Sequence, residues 1–354
     1  MSPMATRDIV RLPGLVDVHV HLRVPGGAHK EDVRSGTAAA LAGGFTTVLA
    51  MPNTQPPLVT LSDYRAAQRH AAATALCDVY HFAGASATHT DELAALGTEA
   101  VGLKVYMDRT YGPLRVDSLL ALTTCAASWP QDKVKAFHAE GPSVAVAIGL
   151  AAAYRRPVHI CHVSRKDEIE LIARAKAQGL PVTCEVTPHH LFLTEADAER
   201  LGPWGDMRPR LASQADVDAL WGHLNTTIDC VATDHAPHTL TEKRGADAPP
   251  GVPGLETAVP LMLTAVADGR LSLDRLVELM HTNPRRIYDL PVQPETWVEV
   301  DLDRRYTLSD AGLHTKCGWS PFSGMEVEGG VHRVQLRGKL VVQEGKLLPI
   351  DAPS

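Results

Sequence analysis

The sequence predicts an α/β fold built around eight parallel strands, because strand-like and helix-like segments alternate along most of the chain. Short apolar runs of the length of a buried strand recur at eight places, and segments with helical spacing separate most of them. The runs are residues 15–21, 46–52, 78–85, 101–107, 134–140, 158–163, 182–191 and 230–236. This alternation indicates βα units around a parallel sheet, and eight such units over roughly 240 residues match a (β/α)8 TIM barrel.

Alanine- and leucine-rich segments supply the predicted helices. The clearest are Thr37–Ala42, Leu61–Ala75, Ser118–Ala127, Ser143–Arg155 and Lys166–Gln178. A doubly wound open sheet would use similar elements, but the sequence carries no glycine-rich dinucleotide fingerprint after its first strand. The barrel is also favoured because polar residues end several different strands, where TIM barrels carry their chemistry.

The last quarter of the chain changes character. Leu255–Asp268 and Ser272–Met280 have helical spacing, whereas Trp297–Asp301 and Val331–Val342 alternate apolar and polar residues over short stretches. We predict that these strands form a small β appendage, packed on the barrel and completed by N-terminal residues. The expected boundaries are 13–290 for the barrel, with 1–12 and 291–354 in the appendage.

Composition narrows the class of protein. Of 354 residues, 45% are hydrophobic and 21% charged, which is typical of a soluble globular enzyme. The net charge of −7 argues against nucleic-acid and membrane partners, and we see neither a long apolar stretch nor a leader-like start. The six cysteines have no paired spacing, so we expect reduced thiols and a cytoplasmic location.

Candidate metal ligands stand on five of the predicted strands. His19 and His21 end the first run, and residues two apart on a strand face the same side, so both imidazoles can reach one ion. Such a pair alone is weak evidence. The further candidates on other strands are Lys104, His138, His162 and Asp234. Recurrence of ligand types at strand ends is what a metal site on a barrel rim requires.

Lys104 explains how two metal ions could share one site. Two cations need an anion between them, and a lysine becomes a carboxylate when its neutral amine reacts with carbon dioxide. We therefore predict two zinc ions bridged by an N6-carboxylysine at Lys104 and by a hydroxide. The first ion is assigned to His19, His21 and Asp234, and the second to His138 and His162.

This ordered ligand set resembles the binuclear branch of the amidohydrolase superfamily. Further segments narrow the resemblance: Pro13–Arg23, Ala50–Thr54, Thr187–Leu191, Thr233–His238, Gly251–Thr257 and Asn283–Arg286. They are similar to those of dihydroorotases, most closely the dihydroorotase domain of the animal multifunctional pyrimidine-synthesis protein. The resemblance spans nearly the whole chain.

Membership of that family implies reversible cyclisation of N-carbamoyl-L-aspartate to L-dihydroorotate in pyrimidine synthesis. Asp234 would be the catalytic residue, accepting a proton from the hydroxide and delivering it to the leaving nitrogen. The substrate carries a carboxylate beside its ring, and Arg23, on the same strand face as His21, can bind it bidentately. The resemblance adds Asn53, His238 and Arg208 as substrate contacts, although a surface-loop arginine explains Arg208 equally well.

Two features remain open in the sequence. The segment 108–113 follows the lysine strand where the family carries a mobile lid, so Thr110 and Tyr111 could contact substrate, but an ordinary βα loop fits as well. Strand alternation is expected to turn Cys161 away from the face of His162. The resemblance suggests that Cys161 and Glu185 could hold an additional metal, whereas packing between strand and helix is the more usual role of such a cysteine.

Other functions share these motifs. Hydantoinases, dihydropyrimidinases and allantoinases have the same barrel and metals, but their substrates lack the ring carboxylate that Arg23 and Asn53 would recognise. A non-catalytic scaffold for aspartate transcarbamoylase is the alternative of another class, and the presence of every proposed ligand argues against it. The resemblance also suggests a homodimer and association with aspartate transcarbamoylase.

Overall fold

The computed structural model describes residues 7–350 and confirms the predicted barrel with an appended antiparallel sheet. Residues 1–6 and 351–354, which the predicted appendage includes, lie outside the described residues. The strands are β1 (Ile9–Pro13), β2 (Leu15–Val20), β3 (Phe45–Ala50), β4 (Asp78–His81), β5 (Ala83–Gly84), β6 (Leu103–Tyr106), β7 (Lys135–His138), β8 (Val158–Ile160), β9 (Val182–Val186), β10 (Cys230–Val231), β11 (Trp297–Thr307), β12 (Glu326–Leu336), β13 (Lys339–Gln343) and β14 (Lys346–Leu347).

Helices follow most of the barrel strands. They are α1 (Val33–Ala42), α2 (Leu61–Thr74), α3 (Leu93–Glu99), α4 (Leu119–Ser128), α5 (Pro142–Tyr154), α6 (Lys166–Ala177), α7 (Pro188–Phe192), α8 (Glu195–Leu201), α9 (Gln214–Leu224), α10 (Leu240–Lys243), α11 (Ala258–Ala267), α12 (Leu273–Val277) and α13 (Asn283–Tyr288). A π-helical turn, Glu278–Thr282, joins the last two, and short 3-10 turns lie at Thr90–Glu92 and Gly202–Gly205. None of the helices between residues 7 and 350 has the length and apolar character that crossing a membrane demands.

The parallel strands close into a ring. One sheet has the order β10-β9-β8-β7-β6-β5 and another the order β2-β3-β4, and all their pairings are parallel. Strands β4 and β5 are two parts of one predicted run, interrupted at Phe82, whose amide nitrogen donates to Ala50. At the other edge Val20 pairs with His235, and the His21 amide donates to the His235 carbonyl over 2.8 Å. The ring therefore has eight strand positions, as predicted.

The interior of the barrel is apolar towards the start of its strands. Val16, Val18, Leu49, Phe82 and Ala136 belong to one buried cluster inside the ring. Strands β2, β3, β6 and β7 are buried at every residue, as expected for parallel strands covered on both faces. The polar residues that end these strands are thereby held at the C-terminal rim.

Several predicted strands are shorter than expected, and the last two runs differ most. The run 182–191 ends as a strand at Val186, because Thr187 caps a helix: its hydroxyl accepts from the His190 amide, and Pro188 occupies the first helical turn. The run 230–236 is a regular strand only at Cys230–Val231, with one isolated bridge further on between His235 and Val20. Asp234, three residues further on, has a φ of 45°, so the backbone has left the extended conformation there.

The appendage is a five-stranded antiparallel sheet of order β1-β11-β12-β13-β14. The N-terminal strand completes it, as predicted, through the register Ile9↔Asp301 to Pro13↔Trp297. The sheet meets the barrel at α11, where the Glu328 amide of β12 donates to the Thr264 hydroxyl over 2.9 Å. The first and last described strands, β1 and β14, therefore form the two edges of one sheet beside the barrel.

Candidate metal centre and substrate pocket

Two histidines of β2 and an aspartate after β10 converge at the C-terminal rim. Nε2 of His21 lies 3.1 Å, and Nε2 of His19 3.3 Å, from the same Oδ1 atom of Asp234. His19 is 1% exposed and the other two residues 8%. The structure thus brings together the three residues predicted to share one ion.

Hydrogen bonds on the far side of each imidazole fix its tautomer. The carbonyl oxygen of Asn53 accepts from Nδ1 of His21 over 2.8 Å, and Glu185 accepts from Nδ1 of His19 over 2.5 Å. Each Nε2 therefore presents a lone pair towards the Asp234 carboxylate. The two Nε2 atoms and the carboxylate oxygen converge with lone pairs and no hydrogen between them. Such a group of ligand atoms suits a divalent metal ion.

A second pair of histidines lies beside the first group. Nδ1 of His138 is 2.9 Å from Nε2 of His162, and the His19 and His162 rings are 5.2 Å apart. Nε2 of His138 donates to Glu140 over 3.2 Å, which leaves its Nδ1 lone pair directed at His162. Among residues 7–350, buried Nδ1 of His162 has no hydrogen-bond partner. The pair has the form expected of ligands to a second ion.

Burial keeps these ligands in the protonation states that metals require. It lowers the pKa of His21 to about 4 and lowers the pKa values of His138 and His162. Burial raises the pKa of Asp234, but the attraction of the His19 and His21 rings in their protonated forms outweighs it and holds that pKa well below its ordinary value. Neutral imidazoles beside a carboxylate are the metal-binding forms.

Lys104 reaches this group from β6. Its side chain is fully buried, and its amine lies 2.8 Å from Sγ of Cys161 and 5.3 Å from the centre of the Tyr106 ring. Its charge is close enough to lower the pKa values of both His138 and His162. The lysine is therefore inside the barrel beside the second histidine pair.

Cys161 lies inside the barrel too, which corrects the expectation from strand alternation. Strand β8 ends at Ile160, and His162 has a φ of 36°, so the alternation of a regular strand does not extend to these two residues. Ligand atoms of Cys161, His19 and Glu185 all lie within 4.8 Å of one another. The same limit holds for His19, His162 and Asp234, so the described residues contain two overlapping groups able to hold a metal.

Of three further buried histidines near the site, His159 contacts a residue that holds a ligand, whereas the contacts of His189 and His190 do not involve one. His159 lies 3.1 Å from Glu185, which in turn contacts His19. His190 contacts the Thr187 hydroxyl through Nδ1 and the Pro209 carbonyl through Nε2, over 2.8 and 3.2 Å. Within residues 7–350, buried Nε2 of His189 has no hydrogen-bond partner.

A polar cavity of about 410 Å³ lies next to the metal ligands. Its lining includes Arg23, Lys30, Asn53, Tyr111 and Glu242. Arg23 is 7% exposed and has a φ of 62°, a left-handed conformation that is strained for a non-glycine residue. The strand thus turns sharply just after His21, and the arginine lines the cavity there.

Arg23 and His238 form a pair of donors that suits an anion. Nη2 of Arg23 lies 3.1 Å from Nε2 of His238, and the same Nε2 lies 3.0 Å from the Pro250 carbonyl oxygen. A carbonyl only accepts, so Nε2 carries the hydrogen and the guanidinium faces a second donor. Arg23 lines the cavity and the fully buried His238 lies directly behind it, and a guanidinium with a second donor beside it is a group that a carboxylate can bind.

The segment 108–113 covers one side of the cavity. Asp108 anchors its start by accepting from the Glu140 amide over 2.8 Å, and Asn53 Nδ2 donates to the Tyr111 carbonyl over 2.9 Å. Thr110 is half-buried between these contacts. Arg208 instead pairs with Asp206 and donates to the Met207 carbonyl, and its guanidinium is not among the groups that line the cavity.

Lys30 and Glu242 were missed by the sequence reasoning. Neither stands at the end of an apolar run: Lys30 belongs to a polar loop after β2, and Glu242 to the short helix α10. The signal available was position alone, since each lies within seven residues of a predicted substrate contact, Arg23 or His238.

Relatives of this chain carry matching sequences. A family profile described as dihydro-orotase-like matches residues 8–112. The multifunctional protein CAD of Squalus acanthias is 49% identical over 349 residues, covering 98% of this chain and 16% of that protein. The chain therefore spans about a sixth of the length of that relative. A dihydroorotase of Pyrococcus furiosus is 33% identical over 359 residues, covering 96% of this chain and 83% of that enzyme.

Solved structures agree on the fold. An L-hydantoinase of Arthrobacter aurescens is 27% identical, with a TM-score of 0.90 over 97% of this chain and 87% of its own. An inactive dihydroorotase-like domain of a CAD-like multifunctional protein of Chaetomium thermophilum is also 27% identical, with a TM-score of 0.83 over 98% of both chains. The match to the Pyrococcus furiosus enzyme over most of its length decides the family. This chain belongs to the dihydroorotase family.

Proposed function

We propose that this chain catalyses the reversible cyclisation of N-carbamoyl-L-aspartate to L-dihydroorotate, a step of pyrimidine synthesis. The single observation that carries the proposal is Arg23, a buried guanidinium that lines the cavity beside the metal ligands and lies 3.1 Å from Nε2 of His238. A substrate whose carboxylate bridges this pair would have its ring amide close to the metal ligands. Family membership gives independent support.

The proposed cofactor is a pair of zinc ions. His19, His21 and Asp234 would hold one ion, and His138 and His162 the other. When bound, two zinc ions joined by a carboxylated Lys104 and a hydroxide supply the nucleophile and polarise the ring amide. The buried amine of Lys104, beside both histidines of the second pair, supports its assignment as the bridge.

The side chains around the substrate would divide the remaining work. Asp234 would take up a proton and deliver it to the ring nitrogen, since its pKa is held low and it is therefore free to accept. Arg23 and Nε2 of His238 would bind the carboxylate. Asn53 would orient His21 while contacting the substrate, and Thr110 and Tyr111 would contact it from the segment 108–113. Arg208 is proposed as a further contact, although its guanidinium pairs with Asp206 and does not line the cavity.

Two other functions compete. The likeness to an L-hydantoinase suggests an alternative function, that of a cyclic amidohydrolase acting on rings without a carboxylate. The donor pair of Arg23 and His238 would then have no anion to bind. The likeness to an inactive dihydroorotase-like domain suggests a second alternative, a non-catalytic scaffold. Against that reading, every predicted metal ligand is present and buried in this chain.

The test is hydrolysis of L-dihydroorotate by the purified protein, followed by ultraviolet absorbance, with metal content determined on the same sample. Turnover with about two zinc ions per chain would support the proposal. Turnover of dihydrouracil in preference to L-dihydroorotate would replace it with a hydantoinase-type activity. A folded protein without metal and without either activity would favour the role of a non-catalytic scaffold.

The cluster of His19, Cys161 and Glu185 is a candidate for a further metal ion. Its geometry supports that assignment, but the hydrogen bond from His19 to Glu185 explains the same contact without an ion. Metal analysis of a Cys161→Ser variant separates the two readings. Loss of one ion would support the additional site, and an unchanged count would exclude it.

Four broader proposals follow from the relatives, the cysteines and the fold. The likeness to a multifunctional protein supports association with aspartate transcarbamoylase, and we propose a homodimer, which light scattering would test. All six cysteines are free within the described residues, which supports a reducing, cytoplasmic location. We also propose residues 13–290 as the barrel domain, with the remaining terminal residues in the appendage.

A further inference from the structure

Lys30 is a buried cation at the floor of the cavity. Its side chain is 5% exposed, and its ammonium contacts three groups from three different segments. Nζ lies 2.8 Å from Oη of Tyr111, 2.9 Å from Oε1 of Glu242 and 3.1 Å from Nδ1 of His238. An ammonium has three hydrogens, so these partners use all its donors.

The contact with His238 fixes the tautomer of that ring. An ammonium can only donate, so Nδ1 of His238 must accept from Lys30. In the neutral ring the hydrogen is then on Nε2, the atom that faces Arg23 and the Pro250 carbonyl. Burial and the charges of Arg23 and Lys30 lower the pKa of His238 and keep the ring neutral. Lys30 thereby fixes the hydrogen on Nε2, the ring nitrogen that faces Arg23.

The contact with Tyr111 holds the segment 108–113 over the cavity. Tyr111 is 37% exposed, yet its hydroxyl contacts the ammonium of Lys30. The centre of the Tyr111 ring lies 4.6 Å from Nζ of that lysine. The same ring centre lies 5.2 Å from the guanidinium carbon of Arg23 and 4.9 Å from the His238 ring. Tyr111 is thus the side chain through which the segment touches both members of the carboxylate site.

Glu242 anchors the lysine from the opposite side. Partial burial raises the pKa of Glu242, but the hydrogen bond from Lys30 outweighs it and lowers the pKa to about 2. The Thr239 amide and hydroxyl also donate to this carboxylate, which fixes it at the start of α10. The ammonium is therefore held by an anchored acceptor whether or not Tyr111 is in contact.

We propose that Lys30 is a positioning residue that couples closure of the segment 108–113, through the Tyr111 hydroxyl, to the orientation and tautomer of His238. The proposal deepens the proposed function and rests on it, because the carboxylate of L-dihydroorotate is the group that His238 would recognise. When the segment is closed, one ammonium joins Tyr111 to the carboxylate site. When it opens, the ammonium loses one acceptor and the site loses its cover.

The test compares wild type with Lys30→Met, Tyr111→Phe and the double variant, and uses Tyr154→Phe, at the far end of α5, as the control. Arg109 is exposed, but trypsin must bind the residues on both sides of the cleaved bond in an extended conformation, so cleavage after Arg109, identified by mass, should become faster when the segment leaves the cavity. Tyr111→Phe removes one hydroxyl and should speed cleavage about tenfold to a hundredfold, the factor for one charge-assisted hydrogen bond. Saturating L-dihydroorotate should slow cleavage of the wild type.

The proposal is tested by comparing cleavage rates, the His238 tautomer and kinetic constants among the variants. Because the two side chains act through one bond, the double variant should be cut no faster than Lys30→Met alone. Imidazole nitrogen NMR, with the His238 signal assigned from a His238→Gln variant, should show Nε2–H in wild type and in Tyr111→Phe but a mixture of tautomers in Lys30→Met. The same variant should raise KM more than it lowers kcat, with unchanged metal content.

Three outcomes would overturn the proposal: wild-type cleavage of Tyr111→Phe, additive effects of the two changes, or an unchanged His238 tautomer in Lys30→Met. Melting temperatures identify a variant that fails to fold, in which case Tyr111→Phe alone still decides the closure. The cleavage and NMR measurements without substrate need no turnover. An inactive enzyme with the predicted cleavage pattern would therefore refute only the proposed function.

Discussion

His138 and His162 stand at the ends of neighbouring barrel strands, and Nδ1 of the first lies 2.9 Å from Nε2 of the second. Burial lowers the pKa values of both rings, so the contact joins two neutral imidazoles rather than an ion pair. Neutral ring nitrogens directed at one point are the arrangement that a divalent metal uses.

Removing one of these rings should remove one metal ion. We expect His138→Ala to bind about one zinc ion per chain where the wild type binds about two. Because binding to the folded state stabilises it, added zinc should also raise the melting temperature less in the variant. Elemental analysis after gel filtration and calorimetry measure the two effects. His223→Ala, on α9 outside the site, is the control, and an equal metal content in all three proteins would contradict the assignment.

Loss of the Lys104 amine should prevent formation of the bridge. Lys104→Ala is expected to lower the rate of L-dihydroorotate hydrolysis by at least about a hundredfold, the scale for loss of a charge-stabilising group. It should also abolish a carbamate signal that wild type gives in NMR with isotope-labelled bicarbonate. The matched control is Lys135→Ala, another buried lysine, at the start of β7. Near-normal turnover of Lys104→Ala would refute the carbamate.

Asp234 is expected to be both a ligand and the proton carrier, and two variants separate these roles. Asp234→Asn keeps an oxygen ligand but cannot take up the proton, so it should retain much of the metal and lose about a hundredfold or more in kcat. Asp234→Ala should lose metal as well. The measurements are metal content and kcat of each variant on L-dihydroorotate. If Asp234→Asn kept wild-type kcat, the proton-carrier role would be wrong.

Much of the barrel was predictable because its signal is local. The eight apolar runs coincide with the eight strand positions, and His19 and His21 share a face because strand geometry requires it. The run 182–191 was predicted too long because apolar composition alone does not separate a buried strand from a short buried helix. The capping role of Thr187 and the position of Pro188 were the available signals.

The rest of the site depends on backbone conformations that composition does not reveal. Arg23, His162 and Asp234 have φ values of 62°, 36° and 45°, and each departs from the strand geometry used to predict its direction. That departure brings Cys161 inside the barrel, contrary to the predicted alternation. Lys30 meets His238 only through folding across 208 residues of sequence, so no local pattern indicated it.

Arg23 should contribute to substrate affinity more than to the chemical step. Removing a charge-assisted hydrogen bond costs about 1.5–3 kcal/mol, so Arg23→Met should raise KM about tenfold to a hundredfold with a smaller change in kcat. Initial rates over a range of L-dihydroorotate concentrations give both constants. Arg69→Met, an exposed arginine on α2, is the control. An unchanged KM would show that another residue binds the carboxylate.

Acid should destabilise the fold partly through His81, which lies on β4. Its imidazole is 5% exposed, and burial, with a smaller effect of His70, lowers its pKa from 6.5 to about 4. As the pH falls, His81 is protonated at a higher pH in the unfolded chain than in the folded one. The free energy of unfolding should therefore fall as the pH drops from about 6.5 to about 4. The full contribution of this pKa shift to the free energy of unfolding is about 3 kcal/mol. Denaturant unfolding at several pH values measures it.

The substitution His81→Leu removes the titrating group, so it should flatten the pH dependence by about that amount whatever its effect at neutral pH. His70→Leu, an exposed neighbour on α2, controls for surface charge and should leave the slope nearly as in wild type. The comparison uses slopes rather than absolute stabilities, because the cavity or packing change at position 81 is the same at every pH. A variant with the wild-type slope would show that His81 takes up no additional proton on unfolding, and the acid sensitivity would then belong to other groups.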